Sequence, residues 1–374
     1  MRIPFIFGKI AQDENFTDRE NDHIRLSTNL LGGVNTVIIS PRRWGKSSLV
    51  NNVLKDISDD SDYIVCHIDA FDCRSEEQFY AIYVESILRA CATKTEEILR
   101  LVKRYVSSFG PKFTFGNEDS GQVSVSIDIH DRNYSIEEII DLPQHIAAER
   151  GKKMIVCIDE FQNVAQYDDS EAFQKKLRSH WQRHTDVTYC LYGSKRHMLI
   201  DIFNTYERPF YKFGDIIMLP KIALDKWIPF ITERFAATGK YISESQAGTI
   251  AERMRCHPYY VQQYSQLVWL LTENSVEDAT IDNALEQLMD RCGLLMNSII
   301  DDLRPRQYSF LKAIANGEKN LTSASTLTKY NLGSSANVKN LRKSLMDKDL
   351  IDVSDEGTLV MQDPLLECFV NRKR

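Results

Sequence analysis

Ser40-Pro41-Arg42-Arg43-Trp44-Gly45-Lys46-Ser47-Ser48 follows an apolar run, Val37-Ile38-Ile39, and opens onto Leu49-Val50-Asn51-Asn52-Val53-Leu54. Strand, loop and helix in that order, with the loop written G-x-x-x-x-G-K-[ST] except for Ser40 in place of the first glycine, is the pattern of a P-loop. Such a loop turns its backbone N–H groups around phosphates, and the positive end of the following helix adds to the attraction. Lys46 would then reach the β and γ phosphates of a nucleotide, and the Ser47 hydroxyl would hold magnesium. Pro41, Arg42, Arg43, Trp44, Gly45 and Ser48 complete the expected nucleotide-binding loop. A chance Gly-Lys-Ser in a surface turn would have neither the strand before it nor the apolar helix behind it.

A P-loop needs a carboxylate opposite, and Met154-Ile155-Val156-Cys157-Ile158-Asp159-Glu160 offers a continuous apolar run that ends in two acids. Buried parallel strands read this way. Asp159 would hold the magnesium with Ser47, while Glu160 stands where a residue orients or deprotonates the attacking water. The second acid points to hydrolysis of ATP to ADP and phosphate in preference to binding alone.

The chain has 374 residues, enough for two or three domains, with 43% apolar residues, 26% charged residues and a formal net charge of -7. That charge gives no general reason to expect nucleic acid, although a local basic surface remains compatible with it. Eight cysteines form no C-x-x-C pair, and Cys66, Cys157 and Cys190 fall in apolar runs that read as strands. Reduced thiols in a cytoplasmic protein are expected. No apolar stretch reaches membrane-spanning length, so no membrane is expected among its partners.

Along the chain, apolar runs alternate with helical patterns: Tyr63 to Asp69, the acid-tipped strand, Val187 to Ser194 and Ile216 to Pro220, separated by helices near 75–92, 94–105, 135–150 and 171–185. This is an α/β fold with a mostly parallel sheet and helices on both faces. Ligands lie at the carboxyl ends of such strands, where the P-loop, Asp159 and Ser194 all fall. Between 109 and 132, Lys112-Phe113-Thr114-Phe115 and Val123 to Ile129 alternate with period two and predict an inserted β-hairpin. From about Arg304 three short helices precede Leu350 to Met361, with Asp355-Glu356-Gly357 as a hairpin turn, the order of a winged helix. Lys339, Arg342 and Lys343 on its third helix could face phosphates in duplex DNA. The other reading is a surface for protein contacts, which Asp347, Asp349 and Asp352 favour by following at once.

Phe16 to Glu20, Ser40 to Ser48, Asp159-Glu160, Gly193-Ser194, Arg208-Pro209-Phe210-Tyr211 and His257-Pro258-Tyr259-Tyr260 together resemble the archaeal-ATPase family, P-loop ATPases close to the STAND and AAA+ groups. The resemblance implies an AAA+-like core over 1–221, a helical lid over 222–302 and a winged-helix domain over 303–374. It places Asp18 and Arg19 near the adenine, with Asp18 where related groups carry glycine. It makes Ser194 a polar sensor of the γ-phosphate, against the alternative of a serine that caps a strand. Arg208 would be an arginine finger offered to a neighbouring subunit, or an ordinary surface arginine. His257 and Pro258 would open a lid helix over the base; a proline in a first helical turn has a purely structural explanation as well.

The expected function is an ATP-hydrolysing molecular switch whose nucleotide state positions the winged helix and controls a protein partner or self-assembly as a homo-oligomer. ATP and Mg2+ are the implied cofactors. An ATP-controlled DNA-binding regulator or recombination accessory protein is the alternative. The hairpin near 109–132 is the expected partner surface.

Overall fold

The computed structural model describes residues 3–11, 16–92, 95–101, 104–105, 112–115, 123–126, 135–354 and 357–372. The chain divides into two compact units, Arg19–Pro220 and a second made of Met1–Asp18 with Lys221–Arg374.

The first unit runs α1 (Glu20–Leu31), β1 (Thr36–Ile39), α2 (Lys46–Ser58), β2 (Tyr63–Asp69), α3 (Glu76–Cys91), α4 (Thr95–Leu101), β3 (Lys112–Phe115), β4 (Val123–Ser126), α5 (Ile136–Arg150), β5 (Lys153–Asp159), α6 (Ser170–Trp181), β6 (Val187–Gly193), α7 (Arg196–Asn204) and β7 (Asp215–Met218). Five strands form one sheet in the order β2-β5-β6-β1-β7. Every pairing in it is parallel. Val37, Ile39, Val156, Ile158, Tyr189 and Leu191 join a large apolar cluster with α3, α5 and α6. Their neighbours along the strands, Ile38, Ile155 and Cys190, are buried outside that cluster, as strand alternation requires. Helices α1 and α2 pack together and bury Leu26, Leu30, Leu49 and Val53. Strands β3 and β4 pair antiparallel, Phe113 opposite Val125, so the expected hairpin is present. Its connecting turn and the residues Ile127 to Ile129 lie outside the described residues.

In the second unit come α8 (Leu224–Ala236), α9 (Glu244–Arg253), α10 (Pro258–Leu271), α11 (Asp278–Asp301), α12 (Pro305–Ala315), α13 (Ala324–Lys329), α14 (Ser335–Asp347), β8 (Ile351–Val353), β9 (Leu359–Met361) and α15 (Pro364–Arg372). Helices α12 to α14 and the β8–β9 hairpin are the winged helix in the expected order; α15 is an addition that the sequence reading lacked. The structure departs from the expected division of the chain in two respects. Phe5 is buried against Phe230 and Phe235, which places the N-terminal segment in this unit and not with the P-loop. The expected boundary at 302/303 is no break in packing, because Trp227, Met296, Phe310, Leu345 and Leu365 share one apolar core. Among the described residues no helix is long and apolar enough to cross a membrane.

A polar chain crosses the first unit at the start of β6. His180 Nδ1 and His184 Nε2 lie 2.8 and 2.9 Å from one oxygen of Asp141, and His184 Nδ1 lies 2.9 Å from the Tyr189 hydroxyl. Burial pushes the His184 ring below its usual pKa, although the hydrogen bond to Asp141 opposes this. Burial alone would raise the Asp141 carboxyl, but hydrogen bonds from His184 and His180 hold it below the usual range. The signs agree: an unfolded chain takes up a proton at His184 from about pH 6.5 downward that the folded ring refuses, and the Asp141 contribution is lost below about pH 3.9. Stability to urea is therefore expected to fall as pH drops below about 6.5, and His184→Gln to flatten that first decline in denaturation curves followed by tryptophan fluorescence.

Candidate functional site

Strand β1 lies inside the sheet, and its C-terminal end delivers the chain into the loop 40–45. Two residues there take left-handed backbone, Arg43 at φ 64° and Gly45 at φ 92°. Ser40 does not, and it is buried with its hydroxyl on the Pro41 carbonyl at 3.2 Å. A glycine at the loop entrance is therefore unnecessary here, which explains the departure from the usual pattern. Gly45 is the N-cap of α2 and supplies no side-chain cap, so the first amides of that helix stay available to an anion.

The acids come from β5. Only β6 stands between β1 and β5, with Ile39 opposite Gly193 at the sheet's edge of strand ends. Across that gap the Ser47 hydroxyl donates to Asp159 Oδ2 at 3.2 Å. Lys46 Nζ lies 3.4 Å from Glu160 Oε1 and 3.9 Å from Asp159 Oδ1, with its side chain 9% exposed. The other oxygen of Glu160 accepts from Gln162 Nε2 at 2.5 Å and from the Ser194 hydroxyl at 2.9 Å. Arg42 Nε reaches the same Ser194 hydroxyl at 3.3 Å. Six residues expected from the sequence, Arg42, Lys46, Ser47, Asp159, Glu160 and Ser194, are thus brought together.

The two acids are tuned apart. Burial lifts the Asp159 carboxyl above its ordinary pKa, the Lys46 charge opposing this and the Glu160 charge adding to it. Burial would lift Glu160 too, but the Lys46 ammonium and the donors Gln162 and Ser194 outweigh it and hold that carboxyl low. Glu160 stays a carboxylate with one oxygen anchored and the other facing a cation. Its backbone is left-handed at φ 52°, which turns the chain sharply off β5 into the 3-10 turn Phe161–Gln166.

Gln162 was not foreseen, and its signal is only its place two residues after Glu160. It is 1% exposed and lies under Gly193, where an added Cβ would sit 1.8 Å from Gln162 Oε1. The glycine at the end of β6 is therefore a clearance for the amide that holds Glu160. Arg19 also differs from expectation in detail: its guanidinium, buried, donates to the carbonyls of Trp44 at 3.1 Å and Pro220 at 2.8 Å. It holds the P-loop against the chain leaving β7.

Among the remaining candidates, Pro41 and Ser48 are buried beside the loop, and Arg43 is exposed. Asp18 has a left-handed backbone at φ 52°, and its carboxylate accepts from the Ala223 N–H at 3.2 Å within the second unit. Arg208 is exposed on the segment after α7 and paired with Asp201 at 2.6 Å. His257 is the N-cap of α10 and packs on Tyr260, with Pro258 in the first turn. The Tyr260 hydroxyl bonds to Asp363 ahead of α15, so the His-Pro-Tyr-Tyr stretch ties α10 to the winged helix.

Residues 44–168 match the KAP family P-loop domain, and residues 295–372 match a family described as a probable winged helix domain. A Walker-type ATPase of Pyrococcus abyssi aligns with a TM-score of 0.69 at 17% identity, over 98% of this chain and 99% of that one. The ORC2 protein of Aeropyrum pernix, solved in ADPNP–ADP complexes, aligns with a TM-score of 0.54 at 14% identity, over 100% of this chain and 98% of that one. These likenesses are likenesses of fold. Comparison with curated proteins finds no match.

Gly193→Ala is expected to destabilise the chain by about 1–3 kcal/mol, the usual range for overpacking a filled core. The urea midpoint reads it, and Gly193→Ala combined with Gln162→Ala should recover most of the loss, because the clash is with that side chain alone.

Proposed function

We propose that this chain, a P-loop NTPase with a C-terminal winged helix domain, hydrolyses ATP and uses the nucleotide state to control what its winged helix binds. One observation carries the reading: Lys46 is held between Asp159 and Glu160 while the second oxygen of Glu160 is anchored by Gln162 and Ser194. At an effective dielectric of about 20, an ion pair at 3.4 Å is worth roughly 5 kcal/mol before desolvation is subtracted. A triphosphate brings several negative charges to the same ammonium and wins that competition. Drawing Lys46 toward the phosphates frees Glu160 Oε1, and Oε2 stays fixed, so the carboxylate becomes a base without losing its orientation.

In the reaction, Glu160 Oε1 accepts a proton from water as the water oxygen bonds to the γ-phosphorus. The bond between that phosphorus and the β–γ bridging oxygen breaks, and its electron pair leaves with ADP. Ser47 and Asp159 present a hydroxyl and a carboxylate 3.2 Å apart, hard oxygen donors that fit magnesium. Among the described residues no cluster of three or more His, Cys, Asp or Glu forms a metal cage, so these two would share the ion with phosphate and water oxygens. When bound, magnesium supplies charge neutralisation on the phosphates. Arg42, through Ser194, offers a cation from the same chain beside the transferred group. Arg208, exposed on the surface, suits a contact with a second copy.

A switch needs contacts that differ between states. Helices α8 to α11 share their core with α12 to α15, so a change in the helical part of that unit is carried to the winged helix. What the winged helix binds has a second reading. Lys339, Arg342 and Lys343 are exposed on α14 with no ion-pair partner among the described residues. Asp352, expected to repel phosphate there, is buried, with one oxygen on the Val353 N–H at 2.8 Å. This favours duplex DNA more than the sequence did.

Lys46→Ala is expected to weaken ATP binding by about a hundredfold or more in calorimetry, since it removes a desolvated charge-assisted contact. Glu160→Gln should leave ATP bound and slow turnover by about a hundredfold, the ordinary loss for a general base. Near-normal turnover in that variant would reduce Glu160 to a structural acid. For the winged helix, the triple change of Lys339, Arg342 and Lys343 to Ala should lower duplex affinity and flatten its salt slope by about 3 in a titration against ionic strength. Equal slopes for the two proteins would leave a protein as the partner.

A further inference from the structure

A cleft of about 330 Å³ is lined by Arg42, Arg74, Lys195, Asn163 and Gln166, with the Glu160 carboxylate among its walls. Its walls come from four places in the chain: the P-loop, the loop after β2, the turn after β5 and the start of α7. Parallel pairing makes them neighbours, because Asp69 at the end of β2 lies opposite Asp159 at the end of β5. Asn163 Nδ2 then donates to the carbonyls of Ala70 and Phe71 at 3.1 Å each and pins the loop that carries Arg74.

Three cations face one carboxylate here, and that carboxylate already has Lys46, Gln162 and Ser194 around it. Several basic side chains of this unit answer an acid: Arg25 to Asp215, Arg89 to Glu85, Lys153 to Asp186, Lys175 to Glu171. Arg74 and Lys195 have no ion-pair partner among the described residues. Two such cations converging on a cleft, with a third reached through Ser194, leave a positive field that a small anion would satisfy. Gln166 adds an amide that reaches the Met198 thioether at 4.0 Å. Ordinary ligand pockets are mostly apolar, and a cleft walled by guanidinium, ammonium and amide groups suits a hydrated oxyanion better than an apolar molecule.

We propose that this cleft is a phosphate site, which receives the inorganic phosphate set free beside Glu160 before it leaves the protein. The proposal rests on the hydrolytic reading for the origin of the phosphate; the site itself rests on Arg74, Lys195 and Arg42. It separates the two products. ADP stays on the P-loop, while phosphate moves past the Glu160–Ser194 pair toward Arg74 and Lys195. Phosphate departure is then controlled chiefly by these two residues, which lie outside the P-loop.

The test is a calorimetric titration of inorganic phosphate into the full chain saturated with ADP and magnesium. Three proteins are compared: wild type, Arg74→Ala with Lys195→Ala, and the charge-keeping pair Arg74→Lys with Lys195→Arg. Wild type and the charge-keeping pair are expected to bind phosphate alike, and the alanine pair about tenfold more weakly or less, as loss of charge-assisted contacts implies. ADP affinity, measured in the same samples, should be equal in all three and reports that each is folded. No phosphate binding by wild type, or equal binding by the alanine pair, overturns the site. Phosphate that binds and is lost in the alanine pair, from a chain that turns over no ATP, would remove the hydrolytic reading and leave the oxyanion site standing.

Discussion

The ammonium of Lys46 between Asp159 and Glu160 is the interaction on which the arrangement of the site depends. It joins two strands that do not touch, since β6 lies between β1 and β5. The end of the intervening strand is Gly193, and the space that it leaves is filled by Gln162. A side chain at that position would displace the amide that anchors one oxygen of Glu160. The cost of burying three charged groups is offset by their mutual attraction and by the neutral donors around them, as buried ion pairs require.

The same constraint separates the two oxygens of Glu160. One is fixed by neutral donors that nucleotide does not compete for; the other is held by a cation that phosphate does compete for. On the proposed reading, nucleotide binding would change the exposed chemistry of this carboxylate without changing its position. The positive cleft that it lines extends this logic, because it offers a departing anion the cations of Arg74 and Lys195.

The second unit is organised by burial more than by charge. A core from Trp227 to Leu365 runs through the helical part and the winged helix without interruption. Bonds at its polar edge repeat the link: Tyr260 to Asp363, and Arg255 to Glu367. The winged helix is thereby fastened to the helices that precede it.

Much of this was legible in the chain itself. Gly-Lys-Ser between an apolar strand and an apolar helix, and Asp-Glu at the end of an unbroken apolar run, determine a P-loop site because each motif is local and its spacing follows from the backbone of a strand end. The winged helix was legible for the same reason, from three short helices and a turn. What lies between motifs was not. Gln162 and Gly193 are thirty-one residues apart in sequence and become partners only when β5 and β6 pair. Arg74 and Lys195 look like ordinary surface cations until the parallel register of β2 with β5 sets them around one cleft. Phe5 gave no sign that it belongs with Phe230 and Phe235. Local pattern decides which elements form and where a strand ends, but which side chains converge across those ends is decided by strand order and register, and these are properties of the folded sheet.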